Sequence, residues 1–344
     1  MPRNTAFQQH IHVFRAVAII LIVWTHVASS LSWSPDSLTG RLIRQFGNEA
    51  SICFVFVAGY LFQVLSADYA YEKYLRQKLK VVIIPYLVMS LPAILIFSLV
   101  VQREGMWPWF ADLSAVEKMG LFILTGKHLA PYWFIPMIAI FYIAAPLFIY
   151  IDRKMPKVYW SIIPLMALSF YLGRDGPYGP LSKAIYMLPI YLLGMAFSRY
   201  RAIAEKLVSR FWPMLLALCL FGYWAEIQDW PHPPSYQFLM KTSGTMLLVL
   251  LLLNSYRFVG NRLNYLSDVS FGIYFIHSYV ISASKIIIVA ITAGTITIRQ
   301  LDGPIAGSVP VFVVYLTVVM LVCVGIIKVA QKIFGKGSRY LIGA

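Results

Sequence analysis

Long apolar runs, broken by short clusters of charge, proline and glycine, dominate the pattern of this chain. Ten runs stand out, at 12–30, 47–66, 80–101, 131–151, 158–172, 182–198, 208–225, 237–254, 268–292 and 308–332. Apart from the short fifth, each is long enough to cross ~30 Å of hydrocarbon as a helix. LSAVEKMGLFILTGKH, Leu113 to His128, mixes charge with a short apolar face and predicts a helix lying at the interface. The remaining connections are short and breaker-rich, as in GRDGPYGP and DWPHPP. The expected architecture is all-α: a polytopic integral membrane protein of about ten transmembrane helices forming one domain over residues 1–344, with no repeat or low-complexity tract.

Composition agrees, with 60% hydrophobic and 12% charged residues, far from the mix of a water-soluble domain. The net charge of +15 needs a separate account. If the N-terminus is cytoplasmic, the inner segments hold 18 of the 29 Lys and Arg and the outer ones 9, while 5 acids fall inside and 9 outside. Basic residues are retained on the cytoplasmic side during insertion, so both termini are expected there and the charge sets topology. No basic-aromatic motif accompanies it, so nucleic acid is not an expected partner. The expected location is the inner (plasma) membrane, as a multi-pass protein bathed in membrane lipids. Cys53, Cys219 and Cys323 lie in apolar runs without metal-ligand spacing, and no metal is expected.

Two polar residues interrupt the first run, FRAVAIILIVWTH. Arg15 and His26 are eleven positions apart, which on a helix separates them by about 20° around the axis and ~16 Å along it. Arg15 is close enough to the inner end to snorkel to headgroups. His26 lies too deep for that and needs a cavity or a partner, and an intramembrane ionisable group is a functional candidate by default. His277, in SFGIYFIHSYV, stands at similar depth. An interhelical hydrogen bond is the structural alternative for both, and one cavity lined by both is the functional one. Lys285, further along, has the reach to snorkel outward.

Lys73, Arg76 and Lys80 recur at i, i+3 and i+7 before the third span and, on a continuous α-helix, share one face. A positive-inside anchor explains them; so does a seat for a polyphosphate-bearing donor. In HLAPYWFIPMIAIFYIAAP, Tyr132 and Trp133 open the fourth span either as an interfacial aromatic belt or as a stacking platform for a sugar. Glu49 and Trp133, at outer helix ends, are candidate contacts for an acceptor. No Asp or Glu falls mid-span, which argues against proton-coupled transport.

Together these stretches resemble the membrane acyltransferase 3 family. The pair Arg15 and His26 resembles its first-span signature, and FVFVAGYLF, with Tyr60, is similar to its second-span Ser-Gly-Tyr/Phe-Leu motif, Ala58 standing where serine is common. LRQKLKVVIIPY resembles the basic lead-in to its third span, with Lys78 and Lys80 where arginines are usual. PYWFIPMIAIFYIAAP and FGIYFIHS resemble two later motifs, and the spacing is nearest to members encoded with exopolysaccharide machinery. The resemblance implies transfer of an acetyl or succinyl group from cytoplasmic acyl-CoA, acetyl-CoA foremost, to a hydroxyl of a cell-envelope glycan or lipid-linked glycan. It implies His26 as catalytic base, with an acyl-histidine intermediate as the variant, Arg15 binding a donor phosphate or orienting the donor's carbonyl, and Lys73, Arg76, Lys78 and Lys80 as donor contacts. Glu49, Tyr60, Tyr132, Trp133 and His277 become candidate substrate contacts, and polysaccharide biosynthesis machinery a candidate partner. The rival readings are a glycan or lipid exporter and a non-catalytic subunit of a polysaccharide synthase complex.

Overall fold

The computed structural model describes residues 5–174, 179–232, 234–293 and 305–344. In chain order the helices begin with α1 (Thr5–Ser30), α2 (Leu38–Gly47), α3 (Ser51–Val64), α4 (Tyr71–Lys78) and α5 (Ile84–Leu99). They continue with α6 (Ala115–Thr125), α7 (Phe134–Ile143), α8 (Ala145–Lys154), α9 (Ile162–Leu172) and α10 (Pro180–Arg199). The last are α11 (Arg201–Ile227), α12 (Tyr236–Asp268), α13 (Ser270–Ala293), α14 (Val309–Phe334) and α15 (Ser338–Leu341). Leu31–Ser32 (β1) and Ile305–Ala306 (β2) form one two-residue parallel pairing.

Eight helical stretches among the described residues are long and apolar enough to cross a membrane. They are Gln9–Ser30, Leu38–Asp68, Tyr71–Leu99, Pro180–Arg199, Arg201–Ile227, Tyr236–Ser255, Ser270–Thr292 and Val309–Leu341. The predicted fourth span is the pair α7 and α8, bent by 53° where Pro146 enters the first turn of α8; counted as one span it makes nine. Proline lacks the N–H that would continue the helix, which is why the run breaks there. The predicted fifth is the eleven-residue α9, preceded by a 3-10 stretch at Pro156–Ser161, and α9 alone is too short to cross. The chain is an all-α polytopic membrane protein.

Two compact units divide the chain. The first comprises Met1–Ile22, Gln45–Leu75 and Ile140–Asp268. Its centre is the pairing of α3 with α10, which meet backbone to backbone. A Cβ on Gly59 would stand 2.0 Å from the Tyr191 carbonyl oxygen, and one on Gly194 would stand 2.1 Å from that of Phe56. Glycines at both crossings permit this approach, the usual way apolar helices associate where water does not drive them together. Two buried acids in this unit are paired: the Tyr186 hydroxyl donates to Glu49 Oε2 at 2.5 Å, and Asp152 Oδ1 accepts from Tyr159 at 2.6 Å and faces Arg199 at 3.2 Å. Along α11, Trp212, Leu220 and Trp224 are exposed, as expected of a face solvated by lipid.

The second unit comprises Val23–Arg44, Arg76–Ala139 and Val269–Ala344. Ser114 and Glu117 start α6 with a capping box, and Gly126, at φ 69°, ends it in the left-handed conformation that glycine adopts without strain. The predicted interfacial segment is therefore a short helix, and its Phe122 packs with Phe110 and Ile94. Three tyrosine hydroxyls bind this unit together. Tyr86 donates to the Ile123 carbonyl at 2.8 Å, Tyr132 to that of Phe275 at 2.8 Å, and Tyr274 to that of Pro131 at 2.6 Å. The segment 129–132 is thus pinned against α13. Between α4 and α5 the helix widens into a π turn, Leu79–Ile83. Pro85 accounts for it, since its ring crowds the carbonyl of Val81 and cannot supply the N–H an α turn requires.

Candidate functional site

The second unit holds a cavity of about 490 Å³. Its walls come from the last turn of α1, with His26 and Ser29; from the last turns of α5, with Ala93 and Phe97; and from the middle of α13, with Ser278 and Ser282. Leu129 and Ala130, on the segment pinned by Tyr132 and Tyr274, close part of it, and Arg103 and Lys285 add two cations. Apolar neighbours Val23 and Val27 are buried and fix the face that α1 turns inward, which leaves His26 half-buried at the cavity wall.

His277 stands beside it. The two imidazole rings are 5.2 Å apart between centroids and inclined by 39°. His277 is fully buried, and its Nδ1 is 3.0 Å from the Ile273 carbonyl oxygen. A carbonyl oxygen only accepts, so Nδ1 carries the proton and Nε2 of the neutral ring is left as an acceptor. That Nε2 is buried without a hydrogen-bond partner among the described residues. A histidine with reach into a cavity, next to a second histidine with a fixed tautomer, is placed to take a proton from a bound hydroxyl and return it.

The other sequence-predicted residues fall in several places. Arg15 is half-buried on α1 but within the first unit. Glu49 is also in the first unit, buried and engaged by Tyr186. Tyr60 is fully buried there, its ring among those of Phe56, Phe197 and His10. Trp133 is half-buried in the second unit. The stacking-platform expectation for Tyr132 does not match its surroundings: the ring is fully buried against Tyr274 and His128 and its hydroxyl is spent on a backbone carbonyl, so it offers no open face to a sugar. Lys73, Arg76 and Lys80 are exposed and Lys78 half-buried. The single helical face expected of Lys73, Arg76 and Lys80 is interrupted, because Lys80 falls in the π turn.

Sequence reasoning missed Arg103, and it set Lys285 aside as a snorkelling residue. It also missed His128, next to the cavity-lining Leu129. His128 is fully buried, with Nδ1 3.1 Å from the Phe122 carbonyl oxygen. Burial drives its pKa down from 6.5 to about 4, against the opposing pull of that carbonyl. It therefore serves as a neutral cross-link between the end of α6 and the cavity wall. A lone Arg or His in a short loop carries no periodic signal, which is why neither stood out.

Comparison with known proteins adds one match: the family model described as an acyltransferase domain covers residues 9–328. No curated protein and no solved structure gives a significant match. The matched span is nearly the whole chain and includes the first-span arginine and histidine, every cavity-lining residue named above and the paired rings of His26 and His277. On that coverage the chain belongs to the membrane acyltransferase 3 family.

Proposed function

We propose that this protein transfers a short acyl group, acetyl or succinyl, from cytoplasmic acyl-CoA to a hydroxyl of a cell-envelope glycan, with His26 as the base. The observation that carries the proposal is the half-buried His26 ring at the wall of a cavity, 5.2 Å from a buried histidine whose tautomer is fixed. In the proposed reaction the acceptor oxygen attacks the thioester carbonyl while His26 takes the hydroxyl proton. The C–S bond then breaks, and the departing coenzyme A sulfur recovers that proton from the His26 imidazolium. An ester and free coenzyme A result, with no net change at His26.

The donor needs cations for its phosphates, and exposed Lys73 and Arg76 with Lys78 and Lys80 lie on the lead-in to α5. Arg15 is the candidate for orienting the donor. These assignments place the inner end of α5 on the cytoplasmic side, in line with the distribution of basic residues, and the protein in the plasma membrane. The test is to incubate the purified protein with acetyl-CoA labelled in the acetyl group and with envelope glycan from a strain lacking the protein. Label appearing as alkali-labile ester on the glycan is the expected result; hydrolysis of donor without glycan label, or no turnover, would contradict it.

A further inference from the structure

The cavity beside His26 carries charge of one sign. Arg103 and Lys285 both line it and no described Asp or Glu does, although Glu104, the next residue after Arg103, lies near enough to Arg103 to interact with its charge. The two cations come from separate elements, the loop after α5 and the helix α13, so their convergence is a product of folding and not of a local charge run. Arg103 is held in place: its Nε donates to the Lys127 carbonyl at 3.4 Å, and its guanidinium carbon lies 5.2 Å from the centre of the Phe97 ring. A guanidinium keeps its charge in such a setting. Apolar walls sharpen its field, as they do that of the half-buried Lys285 ammonium. Serine hydroxyls stand in the same walls, at Ser29, Ser278 and Ser282.

Two cations, several hydroxyls and a histidine in one cavity match the chemistry of a charged sugar. We propose that the acceptor is anionic: a sugar bearing a carboxylate or a phosphate, whose charge is met by Arg103 and Lys285 while a neighbouring hydroxyl reaches His26. This rests on the acyl-transfer reading of the site and names its substrate class. The donor's phosphates are the competing source of negative charge, and the helix directions argue against them. The cavity is built on the C-terminal turns of α5, whereas Arg76, Lys78 and Lys80 precede its N-terminal turn. Residues 84–92 of α5, ~14 Å of helix, lie between that N-terminal end and Ala93, the first cavity-lining residue of α5, and Arg103 lies beyond the helix's far end. One end of α5 suits a polyphosphate arriving from the cytoplasm, and the other suits a ligand arriving from the opposite side.

The experiment measures binding of three soluble probes to the purified full-length protein without donor: p-nitrophenyl β-D-glucoside, p-nitrophenyl β-D-glucuronide, and the 6-phosphate of the glucoside. The same probes are then offered as acceptors with acetyl-CoA. The two anionic probes are expected to bind roughly 10-fold or more tightly than the neutral one. Arg103→Gln with Lys285→Gln should abolish that preference, and Lys285→Arg alone should keep it. The stronger of the two anionic probes identifies carboxylate or phosphate as the group recognised. Equal binding of all three probes, or a preference that survives the double Gln substitution, overturns the proposal. Displacement of the glucuronide by free coenzyme A, with coenzyme A affinity falling in the same double variant, also overturns it, since the cations would then belong to the donor. Equal acylation of neutral and anionic probes leaves the acyl-transfer reading standing and defeats this one. Anionic preference in binding without any transfer defeats the acyl-transfer reading alone.

Discussion

His26 and His277 hold their imidazole rings 5.2 Å apart, one at a cavity wall and the other fully buried with Nδ1 bonded to the Ile273 carbonyl. The bond leaves Nε2 of His277 as a hydrogen-bond acceptor in the low-dielectric surroundings of His26. A proton arriving on His26 is better tolerated beside such an acceptor than beside a hydrocarbon side chain. His277→Phe keeps an aromatic ring, a slightly larger one, and removes the acceptor, so in a variant whose unfolding temperature is unchanged the turnover number should fall by about 10-fold or more, with the apparent affinity for donor little changed. Steady-state kinetics on the purified variant checks this. Full turnover would make His277 a packing residue.

Neutralising the basic lead-in separates its two readings. If Lys73, Arg76 and Lys80 act only in setting topology, the Gln variants that still insert correctly will bind donor normally. If they hold donor phosphates, each lost contact should raise the apparent KM for acyl-CoA by roughly 10-fold or more, and added salt should mimic the substitutions. The outcome expected is the rise, measured after orientation is verified by cysteine labelling.

The glycine in FVFVAGYLF has a role that chemistry does not reveal. With a Cβ placed 2.0 Å from the Tyr191 carbonyl, Gly59→Ala forces α3 away from α10. The expected loss is about 1–3 kcal/mol, read as a lower unfolding temperature of the purified protein. Gly325, whose added Cβ would meet nothing within 4 Å, is the control, and Gly325→Ala should be neutral or slightly stabilising.

Much of the architecture was legible in the sequence because the bilayer imposes a length and an apolar composition on every crossing segment. The departures have local causes: Pro146 bends the fourth span, Pro85 opens a π turn ahead of the third, and the fifth run folds only eleven residues of α-helix. The site was half legible. His26 and His277 stood out as polar residues in apolar runs, and the structure brings their rings together. Arg103, His128 and Ser278 were silent, because a loop arginine, a loop histidine and a helical serine look ordinary until folding gathers them. Tyr132 misled for the opposite reason: an aromatic residue at a span end reads as interfacial, but here its hydroxyl found a carbonyl inside the fold.

His128 sets a pH limit on the cavity wall. Its pKa is lowered from 6.5 to about 4 in the folded protein, so the unfolded chain binds the extra proton first. Stability from the neutral ring is complete above pH 6.5 and is lost as pH falls from there towards 4, by roughly 3 kcal/mol in all. The protection of residues 126–132 against hydrogen exchange, taken relative to the intrinsic exchange rate at each pH, should fall across that window in the wild type. In His128→Leu that protection should become independent of pH there, and a wild-type profile in that variant would assign the effect to another group.

The most direct test of the account is acyl transfer by His26→Ala, assayed on purified protein with labelled acetyl-CoA and native envelope glycan, alongside its abundance in the membrane and its unfolding temperature. Removing the base should leave abundance and folding near wild type and reduce ester formation by about 100-fold or more, whereas wild-type ester levels in that variant would remove His26 from the mechanism.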